Sequence, residues 1–153
     1  MDFQTAVKTC LTEKYATFSG RASRSEYWWF VLAAVIMGLV ISLLGSWLLS
    51  TIFSLALFVP AAAAGSRRLQ DTGRPGWYIF IPMGLGLIGQ LFFGGRVEID
   101  PTTGMPLDMP GMGQMMFMGL FGIVQLVIVV VFIWWLTRPS DEGENEFGPP
   151  PAA

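Results

Sequence analysis

The sequence predicts an all-α integral membrane protein: a four-helix bundle of two helical hairpins with an N-terminal amphipathic surface helix. Three observations predict it. Of 153 residues, 53% are hydrophobic and only 13% are charged, whereas soluble domains carry about a quarter charged residues. The apolar residues fall in long runs parted by short charged or Gly/Pro-rich connections. All six tryptophans stand at the ends of those runs, where an amphipathic ring suits the boundary between hydrocarbon and water.

The surface helix is read over residues 2–18. Phe3, Ala6, Val7, Cys10, Leu11, Tyr15 and Phe18 recur at three- and four-residue steps, one face of a helix. Asp2, Gln4, Thr5, Lys8, Thr12 and Glu13 take the other face, and Asp2 can cap it. With apolar spans next to it, such a helix lies along the membrane surface or under the bundle.

Ser19 to Ser25 breaks the pattern. An apolar run then extends from Tyr27 to Gly65, nearly twice what a hydrocarbon core of about 30 Å accepts as one helix. It folds back, and Gly45-Ser46 is the best break. This gives spans over residues 27–44 and 47–64. Pro60 should kink the second, and the small residues Ala61 to Gly65 admit a close neighbour. A charged loop, Arg67 to Trp77, follows, with Pro75-Gly76 as a turn. Span three is 77–94. Residues 95–113 form a Gly/Pro/Asp-rich loop with a turn at Asp100 to Gly104. Span four is 114–135. Residues 1–139 are thus one membrane domain, and 140–153 an acidic, then Pro-rich tail whose end is disordered.

Basic residues orient the spans. Lys8, Lys14, Arg21, Arg24, Arg67, Arg68, Arg74 and Arg138 fall on one side and Arg96 alone on the other, beside Glu98, Asp100 and Asp108. The positive-inside bias places both termini and the central loop in the cytoplasm. A first apolar run this long and this late does not read as a signal peptide.

Composition narrows the chemistry. There is no histidine and one cysteine, Cys10. Histidine-based triads and an intrachain disulfide are excluded, and no metal or cofactor is expected. A net charge of −2 gives no sign of nucleic-acid binding. Gly84 to Gly89 spells GLGLIG, but inside an apolar span with no preceding strand. Helix packing explains it better than a dinucleotide fingerprint. The methionines Met105, Met109, Met112, Met115, Met116 and Met118 read as flexible apolar filling rather than a Cu(I) site. No Asp, Glu, Lys or Arg lies well inside a span, which disfavours ion-coupled transport. Gln90 and Gln125, the main polar groups there, read as links between helices.

Two stretches, Phe18 to Phe30 (FSGRASRSEYWWF) and Arg67 to Trp77 (RRLQDTGRPGW), resemble the signatures of the domain of unknown function 805, a family of small bacterial inner-membrane proteins. Pro139 to Pro149 (PSDEGENEFGP) resembles its closing motif. That family commonly has His where this chain has Gln70 and a basic residue where it has Glu146. The resemblance implies a multi-spanning fold in the bacterial inner membrane and no established reaction.

All three motifs fall on one side of the membrane, so Arg21, Arg24, Glu26, Arg67, Arg68, Asp71, Arg74, Glu144 and Asn145 can meet in a charged cap. One reading is an ion-pair clamp in which Glu26 and Asp71 answer arginines. Others are a site for an anionic lipid headgroup and a docking face for a membrane-protein partner or a second copy. The expected role is a non-catalytic accessory protein of the bilayer. A transporter or channel component is the alternative, and a lipid-modifying enzyme ranks last.

Overall fold

A computed structural model describes residues 1–93, 100, 102–104 and 110–151, apart from the side chains of Trp47 and Gln90. The readings of Arg96, Glu98, Asp108, Met105, Met109 and the Gln90 side chain lie outside the described residues.

The protein is all-α. Its elements are α1 (Phe3–Lys8) with a π-helical continuation (Thr9–Glu13), α2 (Arg24–Leu43), α3 (Trp47–Gln70), a 3-10 turn (Gly76–Ile79), α4 (Phe80–Phe93) and α5 (Met112–Thr137). Four helical stretches are long and apolar enough to cross a membrane: 24–43, 48–70, 76–93 and 112–137. Most of their side chains face outward, as lipid solvation permits.

Two compact units divide the chain. The first holds residues 1–80 and the chain from Trp134 onward. In it, Asp2 caps α1 through Thr5 N–H at 2.9 Å. The first helix ends at Glu13, short of the Phe18 that its periodicity predicts. Beyond Glu13 the chain makes other bonds: Tyr15 uses its hydroxyl and Phe18 its carbonyl on α3. Ala6 and Cys10 on the apolar face are fully buried, while Phe3, Leu11, Tyr15 and Phe18 stay partly exposed. Phe3 meets Trp29 of α2 edge-on at 5.9 Å between centroids.

Ser23 caps α2 by accepting from Glu26 N–H. The hairpin turns at Gly45, whose φ of +65° suits glycine, and Ser46 caps α3. Helix α3 runs six residues past the expected end at 64, through Arg67-Arg68-Leu69-Gln70. The first four residues of what reads as a charged loop are thus the last turn of a helix. Cations are favoured at that end by the helix dipole, and buried partners hold them there. Continuous burial begins at Pro60 and, with Ala61 partly exposed, runs to Thr72. Cys10, Phe30 and Ala64 form the apolar nucleus beside it, with Tyr27, Leu57 and Ala61 packed around. Small residues pay off where Ile79 approaches Gly65: a Cβ there would lie 2.7 Å from Ile79 Cδ1.

The second unit is residues 81–133. Gln125 of α5 donates its amide to the Pro82 carbonyl of α4 at 3.2 Å, a link between helices. In the Gly84–Gly89 stretch, helical throughout, Gly89 lets Phe121 approach. Phe93 packs on Phe117 and Phe121.

Candidate functional site

The charged cap is built where α2 begins and α3 ends. The connecting segment 18–22 has no regular structure, yet α3 satisfies its backbone. The Phe18 carbonyl accepts from Ser66 Oγ at 2.9 Å and Gln70 Nε2 at 3.0 Å, and Ala22 N–H donates to the Arg67 carbonyl at 3.1 Å. Gly20, at φ +99°, gives the bend between them.

Two buried charge networks follow. In the first, Glu26 pairs with Arg67, with both side chains at most 2% exposed. The S-x-x-E spacing from Ser23 is that of a capping box, but the Glu26 carboxylate turns inward to the arginine. Cys10 Sγ lies between them, 3.9 Å from Glu26 Oε1 and 3.8 Å from Arg67 Nη2. Lys14 reaches the same carboxylate at 4.0 Å from the rim. Burial pushes the Cys10 thiol above its usual value. The Glu26 carboxylate adds to that shift, and Arg67 partly offsets it.

In the second network Asp71 holds two guanidiniums. Arg21 Nε donates to Oδ1 at 2.9 Å, and Arg68 Nη1 and Ser140 Oγ share Oδ2. Two cations on one carboxylate leave a positive excess at almost complete burial. Backbone oxygens neutralise it. Arg68 donates to the Leu136 and Arg138 carbonyls at the end of α5, the negative pole of that helix. Arg21 donates to Asp141 O at 2.7 Å, Gly143 O at 2.6 Å and Gly148 O at 3.3 Å. Asp141 N–H returns to Asp71 O at 2.9 Å, and Asn145 Nδ2 donates to Gln70 O at 3.0 Å. Residues 140–148 therefore fold back over the cap. The carboxylates of Glu142, Glu144 and Glu146 stay in water.

The cap thus gathers Arg21, Glu26, Arg67, Arg68, Asp71 and Asn145. It leaves three of the expected residues outside: Glu144, whose carboxylate stays in water, and two arginines at the rim. Arg24 is exposed and makes no ion pair among the described residues. Arg74 donates to its own loop at Thr72 O and lies 5.0 Å from the Trp135 ring centroid. Arg138 joins them, 4.7 Å over Trp134. Sequence reasoning missed Cys10, Ser66, Ser140 and Asp141 as members. For Cys10 and Ser66 no charge pattern marks them. Ser140-Asp141 carried a signal, since they open the third motif. Among the described residues no cluster of His, Cys, Asp or Glu suits a metal.

The family described as "Protein of unknown function (DUF805)" matches residues 15–149. Inner membrane protein YhaI of Escherichia coli K12 is 42% identical over 90 residues, 53% of this chain and 76% of YhaI. Inner membrane protein YhaH of the same strain is 37% identical over 79 residues, 45% of this chain. The chain spans 65% of the length of YhaH. No solved structure matches.

Proposed function

Since the chain belongs to the DUF805 family, whose matched relatives are inner-membrane proteins, we propose that it is a non-catalytic interaction protein of that membrane. In this reading the cap faces the cytoplasm and meets anionic lipid headgroups through its rim.

One observation carries the reading: the cap's cations divide into two sets. Arg21, Arg67 and Arg68 are buried, and carboxylates and carbonyls occupy them. They act as a clamp that ties α2, α3 and the end of α5 together. Arg24 and Arg138 are exposed and Arg74 is half-buried, with no carboxylate partner among the described residues, and Arg74 and Arg138 lie over Trp135 and Trp134 at the end of a span. Indoles mark the interface level of a membrane. A guanidinium held there meets phosphate oxygens at headgroup depth, with bidentate geometry available to it.

Retention of phosphatidylglycerol in mild detergent, read by native mass spectrometry, tests this. Each rim arginine contributes roughly 1 kcal/mol near an anionic surface. Arg24→Gln with Arg74→Gln and Arg138→Gln should therefore strip the lipid while the fold stays intact. Unchanged retention in the triple variant would exclude the rim as the headgroup site. Orientation is read separately. A Glu144→Cys variant in a Cys10→Ala background should react with an impermeant maleimide only after the inner membrane is opened.

A further inference from the structure

Arg21 is held from two sides that differ in kind. Its Nε donates to the Asp71 carboxylate at 2.9 Å. Its outer edge meets the tail: Nη2 donates to Asp141 O at 2.7 Å, and Nη1 to Gly143 O at 2.6 Å and Gly148 O at 3.3 Å. The two shorter bonds set one oxygen on each terminal nitrogen, as a phosphate does on a guanidinium fork. The charges are unequal, because Arg21 and Arg68 share one carboxylate and the tail adds only carbonyl dipoles.

The tail itself is lightly held. No residue from Ser140 to Gly148 is buried, and Phe147 is its one large apolar side chain. Asp141, Glu142, Glu144 and Glu146 form no ion pair among the described residues. Gly143 and Gly148 turn the segment at φ +77° and +119°. A segment fastened by polar bonds with little apolar burial opens more readily than a packed helix.

We propose that residues 140–148 are a displaceable strap over an anion site, in which a phosphate group replaces the strap's carbonyls on Arg21. Two properties of the site select phosphate. It brings three oxygens where three carbonyl oxygens leave, and a carboxylate brings two. Its negative charge also cancels the excess that two guanidiniums leave on Asp71, which carbonyls only soften. The strap's carboxylates oppose anions while it is closed, and an anionic surface repels the strap while drawing the guanidinium. The site is Arg21 and does not depend on the rim arginines.

The strap is read on the full chain in phosphatidylcholine nanodiscs, by the rate at which a glutamate-specific protease cuts at Glu142 and Glu144. That rate follows the open fraction when closing is fast. Two anions are compared: inorganic phosphate against sodium chloride and sodium acetate at equal ionic strength, and phosphatidylglycerol in the bilayer without free phosphate. At least one should raise cleavage to a plateau. A response to the lipid alone assigns the site to a headgroup, and a response to free phosphate assigns it to a soluble phosphate. Asn145→Ala frees the strap from Gln70 O and should lower the half-maximal dose by at least about fivefold, the effect of one net hydrogen bond on a closed majority state. Arg21→Gln leaves Arg68 and Asp71 as a balanced pair, and its cleavage should be fast and indifferent to the anion. No response to either anion, an equal response to chloride or acetate, an unshifted dose in Asn145→Ala, or a response that survives in Arg21→Gln would each overturn the proposal. So would its loss at saturating anion in the rim triple variant, whereas loss of retained phosphatidylglycerol from that variant leaves it standing.

Discussion

The Tyr15 hydroxyl donates to the Ala56 carbonyl oxygen at 2.7 Å. That oxygen is the one Pro60 leaves unserved. In an α-helix the carbonyl of residue 56 accepts from the N–H of residue 60, and proline has none. The pyrrolidine ring also presses on that carbonyl. The N-terminal segment thus repairs a defect inside α3, which stays helical from Trp47 to Gln70. In lipid no water is at hand to do so.

This pairing predicts a conditional mutation. Tyr15→Phe alone should lower stability by about 1–2 kcal/mol, because it strands a carbonyl in an apolar setting. In a Pro60→Ala background the helix supplies its own donor, and Tyr15→Phe should then cost a few tenths at most. Thermal unfolding in detergent, followed by tryptophan fluorescence, reads the cycle. Equal losses in both backgrounds would show that the hydroxyl does not serve Ala56.

Asp71 is predicted to be the most sensitive single position of the cap. Asp71→Asn leaves Arg21 and Arg68 buried without a carboxylate, and breaking a buried ion pair costs about 3–5 kcal/mol. Glu26→Gln strands one guanidinium instead of two and should cost less. Arg24→Gln, at an exposed rim position, should change stability by no more than about 0.5 kcal/mol. Detergent titrations of the three variants give the order, and a harmless Asp71→Asn would remove the clamp from the account.

Much of this was legible in the chain itself. The helix count and the helical class follow from hydropathy, because lipid leaves the backbone few alternatives. The pairing of Glu26 and Asp71 with arginines follows from grouping the charged motifs on one side. Which arginine is buried was not legible. Arg21 and Arg24 stand three residues apart in one motif, yet Arg21 is 6% exposed and Arg24 lies in solvent. That choice depends on the tail folding back, which is a matter of long-range contacts between Arg21 and the carbonyls of residues 141–148. The first helix stops short of its apolar periodicity for a related reason. Periodicity records which side chains face inward, but Tyr15 and Phe18 face α3 without being helical. The Arg67-Arg68 turn read as loop because charge ordinarily marks solvent, and here it marks buried pairing.

The tail's attachment predicts the effect of Gly73→Ala. Gly73 has φ +69°, a conformation costing an L-residue roughly 1–2 kcal/mol. An added Cβ would also fall 2.6 Å from Asp141 Oδ2. The Asp141 carboxylate must swing aside, which gives up the bond that it accepts from Asn145 Nδ2 and loosens the tail. A glutamate-specific protease should then cut at Glu142 and Glu144 much faster than in the unaltered chain. Equal cleavage rates would mean that the tail is held elsewhere.

Cys10 predicts the alkaline behaviour of the cap. Burial raises its thiol above the usual 9.0, with the Glu26 carboxylate adding to the shift. A group whose folded value is raised contributes stability that is fully present below the unfolded value. That stability is lost as pH climbs through the folded value. The contribution therefore holds at neutral pH and disappears only in the alkaline range above about 9. Two measurements follow. Alkylation of Cys10 in the folded protein should stay far slower than in denaturant, with its rise displaced to higher pH, because the thiolate is the nucleophile. Replacing the thiol through Cys10→Ala should flatten that part of the alkaline loss in Tm. A native alkylation profile that coincides with the denatured one would place Cys10 in solvent and open the first charge network to water.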